Sequence, residues 1–221
     1  MVSVNILGIV TARGGSKGIP KKNVYPLNGK PLIQYTLDEA LQSNLCDLIL
    51  TTDDEEISRY YYKTVTRPPH LAQDDTPTLP VIKHALEVYG QPVDAVMILQ
   101  PTSPLRIAED INKAIGDFIN FNKYVGNADS LVSVCEGVHP IKMYDHECKP
   151  FFEYEPYDKH VHKCYQRNGA IFIATKELID SGRIVGDNPL FHVMPKSRSI
   201  DIDDYQDLMM AEAMLKVGEL H

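Results

Sequence analysis

The feature that most limits what this chain can fold into is an alternation of two hydrophobic periods repeated along its length. Residues 4–10 form a short apolar run ended by the glycine-rich stretch Arg13-Gly14-Gly15-Ser16-Lys17-Gly18, and so read as a buried strand feeding a loop. Pro31 suits the first turn of a helix, and Ile33, Leu37, Ala40 and Leu41 then fall on one helical face. The pair recurs. Residues 47–51 read as a strand with a short helix from about Asp54, and Ile82, Ala85, Leu86 and Tyr89 mark another helical face. Residues 93–99 are a further apolar run, followed by the helical set Ile111, Ile115, Phe118 and Ile119. Residues 131–135 and 169–175 supply two more core strands and residues 199–203 a short strand end. A helix over 204–217, with Leu208, Ala211 and Leu215 on its face, closes the chain. Apolar strands separated by amphipathic helices predict an α/β fold, a mostly parallel sheet covered on both faces with ligands beyond the carboxyl ends of its strands.

At 221 residues one domain spanning 1–221 is expected, and residues 138–165, rich in His, Lys, Tyr and Pro without a clear period, read as a lobe inserted into it. With 43% apolar and 24% charged residues the chain can bury a continuous core, which excludes a disordered or fibrous protein. A net charge of −8 argues against a general nucleic-acid or anionic-membrane binder. No stretch approaches a membrane span, no basic segment precedes residues 4–10, and Cys46, Cys135, Cys148 and Cys164 lack CxxC spacing. A cytoplasmic protein with reduced thiols is expected. The charge is uneven, however: Arg13, Lys17, Lys21, Lys22 and Lys30 all precede the first acidic residue, Asp38. That implies a local anion site.

The loop RGGSKGIPKKN (13–23) is where such a site belongs. Glycines let backbone N–H groups turn inward, Ser16 adds a hydroxyl, and Arg13, Lys17, Lys21 and Lys22 add positive charge, together a cradle for a polyphosphate. The alternative is a solvated basic turn. The spacing is neither GxxxxGK[ST] nor GxGxxG, so neither of those phosphate-binding mechanisms applies. In Ser199-Ile200-Asp201-Ile202-Asp203, strand alternation would turn both isoleucines to the core and both aspartates to the opposite face. Two close carboxylates repel unless a cation neutralises them, and Mg²⁺ favours one or two carboxylates plus phosphate oxygens. The alternative is a junction in which Asp203 or Asp204 caps the following helix. Gln100, Thr102, Ser103 and Arg106 of LQPTSPLR place an amide, two hydroxyls and a guanidinium on one rim, suited to a polyhydroxylated ligand, or else form a rigid turn. His160-Val161-His162-Lys163-Cys164 lacks a second spaced ligand pair and reads as exposed lobe surface, not a metal site.

With RGGSKGIPKKN, LQPTSPLR, NGAIFI and SIDID in this order, the chain resembles the CMP-sialic acid synthetases, the cytidylyltransferases that activate nine-carbon nonulosonic acids. The resemblance covers nearly the whole chain and implies a Rossmann-like nucleotidyltransferase fold, CTP and an acidic sugar as substrates, Mg²⁺ as cofactor, and a homodimer formed through the lobe. Pseudaminate enzymes commonly carry Arg at the place of Gly18, and CMP-KDO synthetases lack the KGIPKKN run, which favours sialic or legionaminic acid. By position, Arg13, Gly14, Ser16, Lys17, Lys22 and Asn23 match the nucleotide motif, with Arg13 and Lys22 on the triphosphate. Arg67 matches a nucleotide contact, and Thr76 and Thr78 match places that meet cytosine and ribose. Asp201 and Asp203 match the magnesium aspartates, with Asp203 a candidate base, and Gln100, Lys142, Arg167 and Asn168 fall on the sugar side. Three features depart from the pattern: the segment between Glu56 and Arg67, where the family has an extra strand, is short; Leu-Pro is missing before Tyr165; and Ile184 and Val185 stand where aromatics are found. Other acidic sugars (pseudaminate, KDO) or a non-catalytic nucleotide-sensing subunit are the competing readings.

Overall fold

The computed structural model describes residues 4–137, 149 and 164–218. Lys142, the His160–His162 pair and nearly all of the expected lobe lie outside the described residues. Seven strands form one sheet: β1 (Ile6–Thr11), β4 (Asp47–Thr52), β5 (Thr64–Thr66), β6 (Ala95–Leu99), β7 (Ser130–Glu136), β8 (Tyr165–Thr175) and β9 (Pro189–Val193). A two-residue ribbon, β2 (Pro26–Leu27) with β3 (Lys30–Pro31), stands apart. The order is β5-β4-β1-β6-β8-β7-β9, and every neighbour pair is parallel except those made by β8. The expected mostly parallel sheet is present.

The helices are α1 (Leu32–Leu41), α2 (Glu55–Ser58), α3 (Thr78–Tyr89), α4 (Ala108–Tyr124), α5 (Lys176–Asp180) and α6 (Tyr205–Val217). The alternation of β1 explains the two layers. Ile6 and Val10 pack with Leu48, Leu50 and Met97 against Ile33 and Leu37 of α1 and Ile111 and Phe118 of α4. Leu7 and Ile9 face the other way, with Ile49, Val96 and Ile98, against Ile82 and Leu86 of α3 and Leu178 of α5. Strands buried on both faces cannot alternate polar with apolar, which is why they are continuous apolar runs in the sequence.

Two local expectations change. A strand does lie between Glu56 and Arg67: β5 pairs with β4 through Leu50–Thr64, Thr51–Val65 and Thr52–Thr66, and delivers Arg67 directly from the sheet edge. Residues 199–203 are not a strand. Ile202 N–H donates to Thr102 O at 2.8 Å, but no ladder continues. The segment is held instead by Ile202, fully buried with Ile19, Leu27, Leu32, Leu208 and Ala211 in a third apolar cluster. Asp204, one of the two proposed caps, accepts from the N–H groups of Gln206 and Asp207 at the start of α6. The Asp203 side chain is thereby left out of the cap, while its N–H donates to Asp207 Oδ2 at 2.9 Å.

Candidate active site

The chain runs outward from β1 through β4 to β5, then returns to set β6 on the other side of β1. Such a reversal opens a crevice at the strand ends, between the loops that follow β1 and β6. A cavity of about 330 Å³ lies there, lined by Arg13, Ser16, Lys17, Lys22, Asn23, Arg67, Thr76, Thr78, Gln100 and Asp203 among others. Loop, β5 exit, α3 start, β6 exit and acid segment therefore meet in one place.

The glycine-rich loop is closed on itself by Asn23, whose Nδ2 donates to Arg13 O at 2.8 Å. Lys21 turns the chain with φ 52° and carries its ammonium to Glu56 at 2.7 Å, outside the cavity, so the cradle has one cation fewer than its composition offers. Gly14 also faces away, its N–H donating to Asp53 Oδ1 at 3.0 Å. Lys22 is the joint between the two ends of the sequence. Its side chain is 14% exposed, Nζ donates to Ile202 O at 2.6 Å, and Asp203 Oδ1 is 3.6 Å away. Gly18 lies so close to Asp203 O that a Cβ there would be 2.1 Å from it. Arg13 pairs with Asp74 at 2.5 Å, and Lys17 approaches the same carboxylate at 3.4 Å. The Arg13 hydrogen bond chiefly, with Lys17 adding, holds Asp74 below its ordinary carboxylate value. Asp74 thus engages two of the loop's cations, a partner not singled out in the sequence because it is 61 positions from Arg13. Arg67 is buried, donates to Thr51 O at 2.9 Å, and is shifted down by burial.

Without a strand to alternate, the two aspartates are not equally presented: Asp203 is exposed and lines the cavity, whereas Asp201 is half-buried and does not line it. Burial chiefly, and the charge of Asp203, push its carboxyl up, against a Thr102 hydrogen bond and the charge of Lys22. Its Oδ1 is buried without a hydrogen-bond partner. Among the described residues no group of three or more His, Cys, Asp or Glu is arranged for a metal ion. A carboxylate pair with an orphaned oxygen is still a donor set that fits Mg²⁺, which completes its shell with phosphate oxygens and water.

The rim after β6 divides. Gln100 and Thr102 line the cavity, whereas Ser103 and Arg106 are buried. Arg106 turns inward to Ala170 O at 2.7 Å, Gln100 O at 3.3 Å and Thr36 Oγ1 at 2.7 Å, and burial brings its guanidinium down to about 10. The Gln100 carbonyl just past β6 and the Ala170 carbonyl in the middle of β8 draw it under the site. Arg167 is exposed on β8, and Asn168 is buried with its carboxamide engaged by protein atoms; neither lines the cavity. A smaller recess of about 210 Å³ shares Thr78 and Gln100 with the main cavity and is walled by Ile98, Phe172, Ile184 and Val185.

The cytidylyltransferase family profile matches residues 7–197. The chain is 35% identical to the N-acylneuraminate cytidylyltransferase of Escherichia coli over 93% of its own length and 51% of that protein, so it spans about half of that relative. It is 31% identical to the pseudaminic acid cytidylyltransferase of Campylobacter jejuni (96% of this chain, 97% of the relative). It is 32% identical to the CMP-N,N'-diacetyllegionaminic acid synthase of Legionella pneumophila (98% of each). A solved CMP:2-keto-3-deoxy-manno-octonic acid synthetase has the same fold, with TM-score 0.72 at 13% identity over 97% of this chain and 99% of that one. No helix among the described residues is long and apolar enough to cross a membrane.

Proposed function

Since the chain belongs to the cytidylyltransferase family, and within it to the CMP-sialic acid synthetases, we propose that it joins CTP to a nonulosonic acid, sialic or legionaminic, giving the CMP-sugar and pyrophosphate. The observation that carries this reading is Lys22, which ties the glycine-rich loop to the acid segment on a single cavity. In the reaction the anomeric hydroxyl oxygen bonds to the α-phosphorus, the bond from that phosphorus to the bridging oxygen breaks, and pyrophosphate leaves. Negative charge grows on the phosphate oxygens, so positioning and fixed positive charge are the protein's main tasks. Arg13 and Lys22 line the cavity and supply that charge, Asn23 holds the loop that presents it, and Ser16 adds a hydroxyl to the same wall. Asp201 and Asp203 are the residues that would hold Mg²⁺, which when bound would supply further positive charge beside the phosphates. Asp203, exposed beside Lys22, is the carboxylate we assign to the hydroxyl proton.

On the sugar side, an amide at Gln100 beside an apolar recess suits a sugar bearing an acylamino group. Lys142 or Arg167 is the cation proposed for the sugar carboxylate. The same reading carries a homodimer made through residues 138–165 and a cytoplasmic setting, the latter in keeping with unbridged Cys46 and Cys135. Light scattering would report twice the 24.9 kDa chain mass for the dimer and the single mass against it. The deciding experiment is pyrophosphate release from CTP and Mg²⁺ with N-acetylneuraminate, di-N-acetyllegionaminate, pseudaminate and KDO. Turnover with either of the first two supports the proposal. Turnover with pseudaminate or KDO alone would reassign the sugar, and silence with all four would point to a nucleotide-sensing subunit.

A further inference from the structure

Asn168 is 4% exposed, and every hydrogen-bonding position on its carboxamide is used. Ser133 Oγ accepts the Ile171 N–H at 2.7 Å, so its own proton goes to Asn168 Oδ1 at 2.6 Å. The same oxygen accepts from Ala170 N at 3.3 Å. With the oxygen so fixed, Nδ2 donates to Ser199 Oγ at 2.8 Å and to Met194 Sδ at 3.4 Å, and Ser199 passes its own proton to Pro195 O at 2.8 Å. A buried carboxamide with both donors and both acceptor sites engaged has none left for a substrate.

What it grips is the segment that carries the acids. Between the Val132–Phe172 and Val134–Arg167 pairs, Ser133 of β7 stands opposite residues 168–171 of β8, a bulge at the site edge of the sheet. Ser133 fills the gap in the ladder, Asn168 reaches from the bulge to Ser199, and Asp201 follows two residues later. Gly169, at φ 72°, lets Asp201 close on the bulge: a Cβ there would be 2.7 Å from Asp201 Oδ2. On the other flank Arg198 makes two bonds to Asp110, at 2.9 and 2.7 Å, fixing the turn before Ser199.

We infer that Asn168, through Ser199, is a positioning residue for the Asp201–Asp203 pair: the Ser133–Asn168–Ser199 relay, anchored at the buried Ser133 and Asn168, sets the orientation of the two carboxylates. This rests on the reading of that pair as the cation-holding group. Partners that orient metal ligands are typically worth about 10–100-fold in metal affinity or activity.

The test is Mn²⁺ binding to the enzyme–CTP complex, followed by electron paramagnetic resonance of the free ion, for wild type, Asn168→Ala, Ser199→Ala, Ser199→Thr and Asp201→Asn. Asn168→Ala and Ser199→Ala are expected to loosen Mn²⁺ roughly 10–100-fold and lower kcat, with sugar KM and metal-free CTP affinity within about twofold of wild type. Ser199→Thr, which keeps the hydroxyl, is expected to restore Mn²⁺ binding. Should Asn168→Ala fail to fold, Ser199→Ala, which removes one oxygen at a half-buried position, decides the matter. A raised sugar KM with Mn²⁺ affinity intact would make Asn168 a sugar contact and overturn the inference, as would Ser199→Ala indistinguishable from wild type. If Asp201→Asn binds Mn²⁺ as wild type does, the acid-pair reading itself fails; if Asp201→Asn loosens Mn²⁺ and Ser199→Ala does not, only the relay fails.

Discussion

Replacing Lys22 by Met keeps the buried stem and deletes the ammonium, which separates the two bonds that join the loop to the acid segment. The pair with Asp203 is the weaker: it is 3.6 Å long and the Asp203 side chain is 85% exposed, and exposed ion pairs are worth about 0.2–1 kcal/mol. The bond to Ile202 O is 2.6 Å long from a side chain only 14% exposed, and a hydrogen bond from a charged donor contributes about 1.5–3 kcal/mol. Removing a mostly buried charge returns some of its desolvation cost, so the lower half of that range is expected. For a chain of this size each kcal/mol moves the melting temperature by about 2–4 °C, giving a fall of roughly 3–9 °C. Turnover should suffer more, by about 10²–10³-fold, because the same ammonium faces charge that grows only in the transition state. Differential scanning fluorimetry and a pyrophosphate-release assay on Lys22→Met read the two effects separately. A variant that melts with wild type and turns over normally would refute the claim that Lys22 joins loop to acids.

Asp203→Asn is expected to lower turnover by about 10²-fold or more while CTP still binds, measured by calorimetry beside the kinetics; near-normal turnover at saturating Mg²⁺ would remove Asp203 from the chemistry. Asp74→Asn frees Arg13 and Lys17 from their resident carboxylate, so pyrophosphate should bind several-fold tighter in calorimetry, and weaker binding would mean that Asp74 instead orients Arg13. Asp201 carries a raised pKa, chiefly from burial, so its charged form costs stability above its folded pKa and that cost disappears as the group protonates at lower pH. In EDTA at pH 7, Asp201→Asn should therefore melt higher than wild type while losing activity, whereas a lower melting temperature would show that the carboxylate's protein contacts outweigh its burial.

The core strands and the four longer helices were legible because burial writes itself into hydrophobic period. The edge strand Thr64–Thr66 was not: three residues, one of them buried, leave no periodicity to read, and only pairing with β4 defines them. Residues 199–203 erred in the opposite direction, since Ile200 and Ile202 mimic strand alternation where the segment pairs with the rim at Thr102 and packs under α6. Composition located the anion site but not the direction of each cation. Lys21 and Lys22 are adjacent and alike, yet Glu56 draws one out and Ile202 O holds the other in. Arg106 and Asn168 likewise carry chemistry suited to a ligand, but carbonyls and hydroxyls brought up by distant segments use it beneath the site. Such partners are fixed by tertiary contacts that no local pattern encodes.

Whether the glycine-rich loop and the acid segment share one triphosphate can be seen in a crystal soaked with CTP and Mn²⁺, with the manganese placed by its anomalous scattering. Manganese is expected against Asp201 and Asp203, with a triphosphate oxygen in its shell and Arg13 and Lys22 on the same phosphate chain. Manganese bound away from those aspartates, or a triphosphate seated outside the cavity beside the glycine-rich loop, would contradict that arrangement.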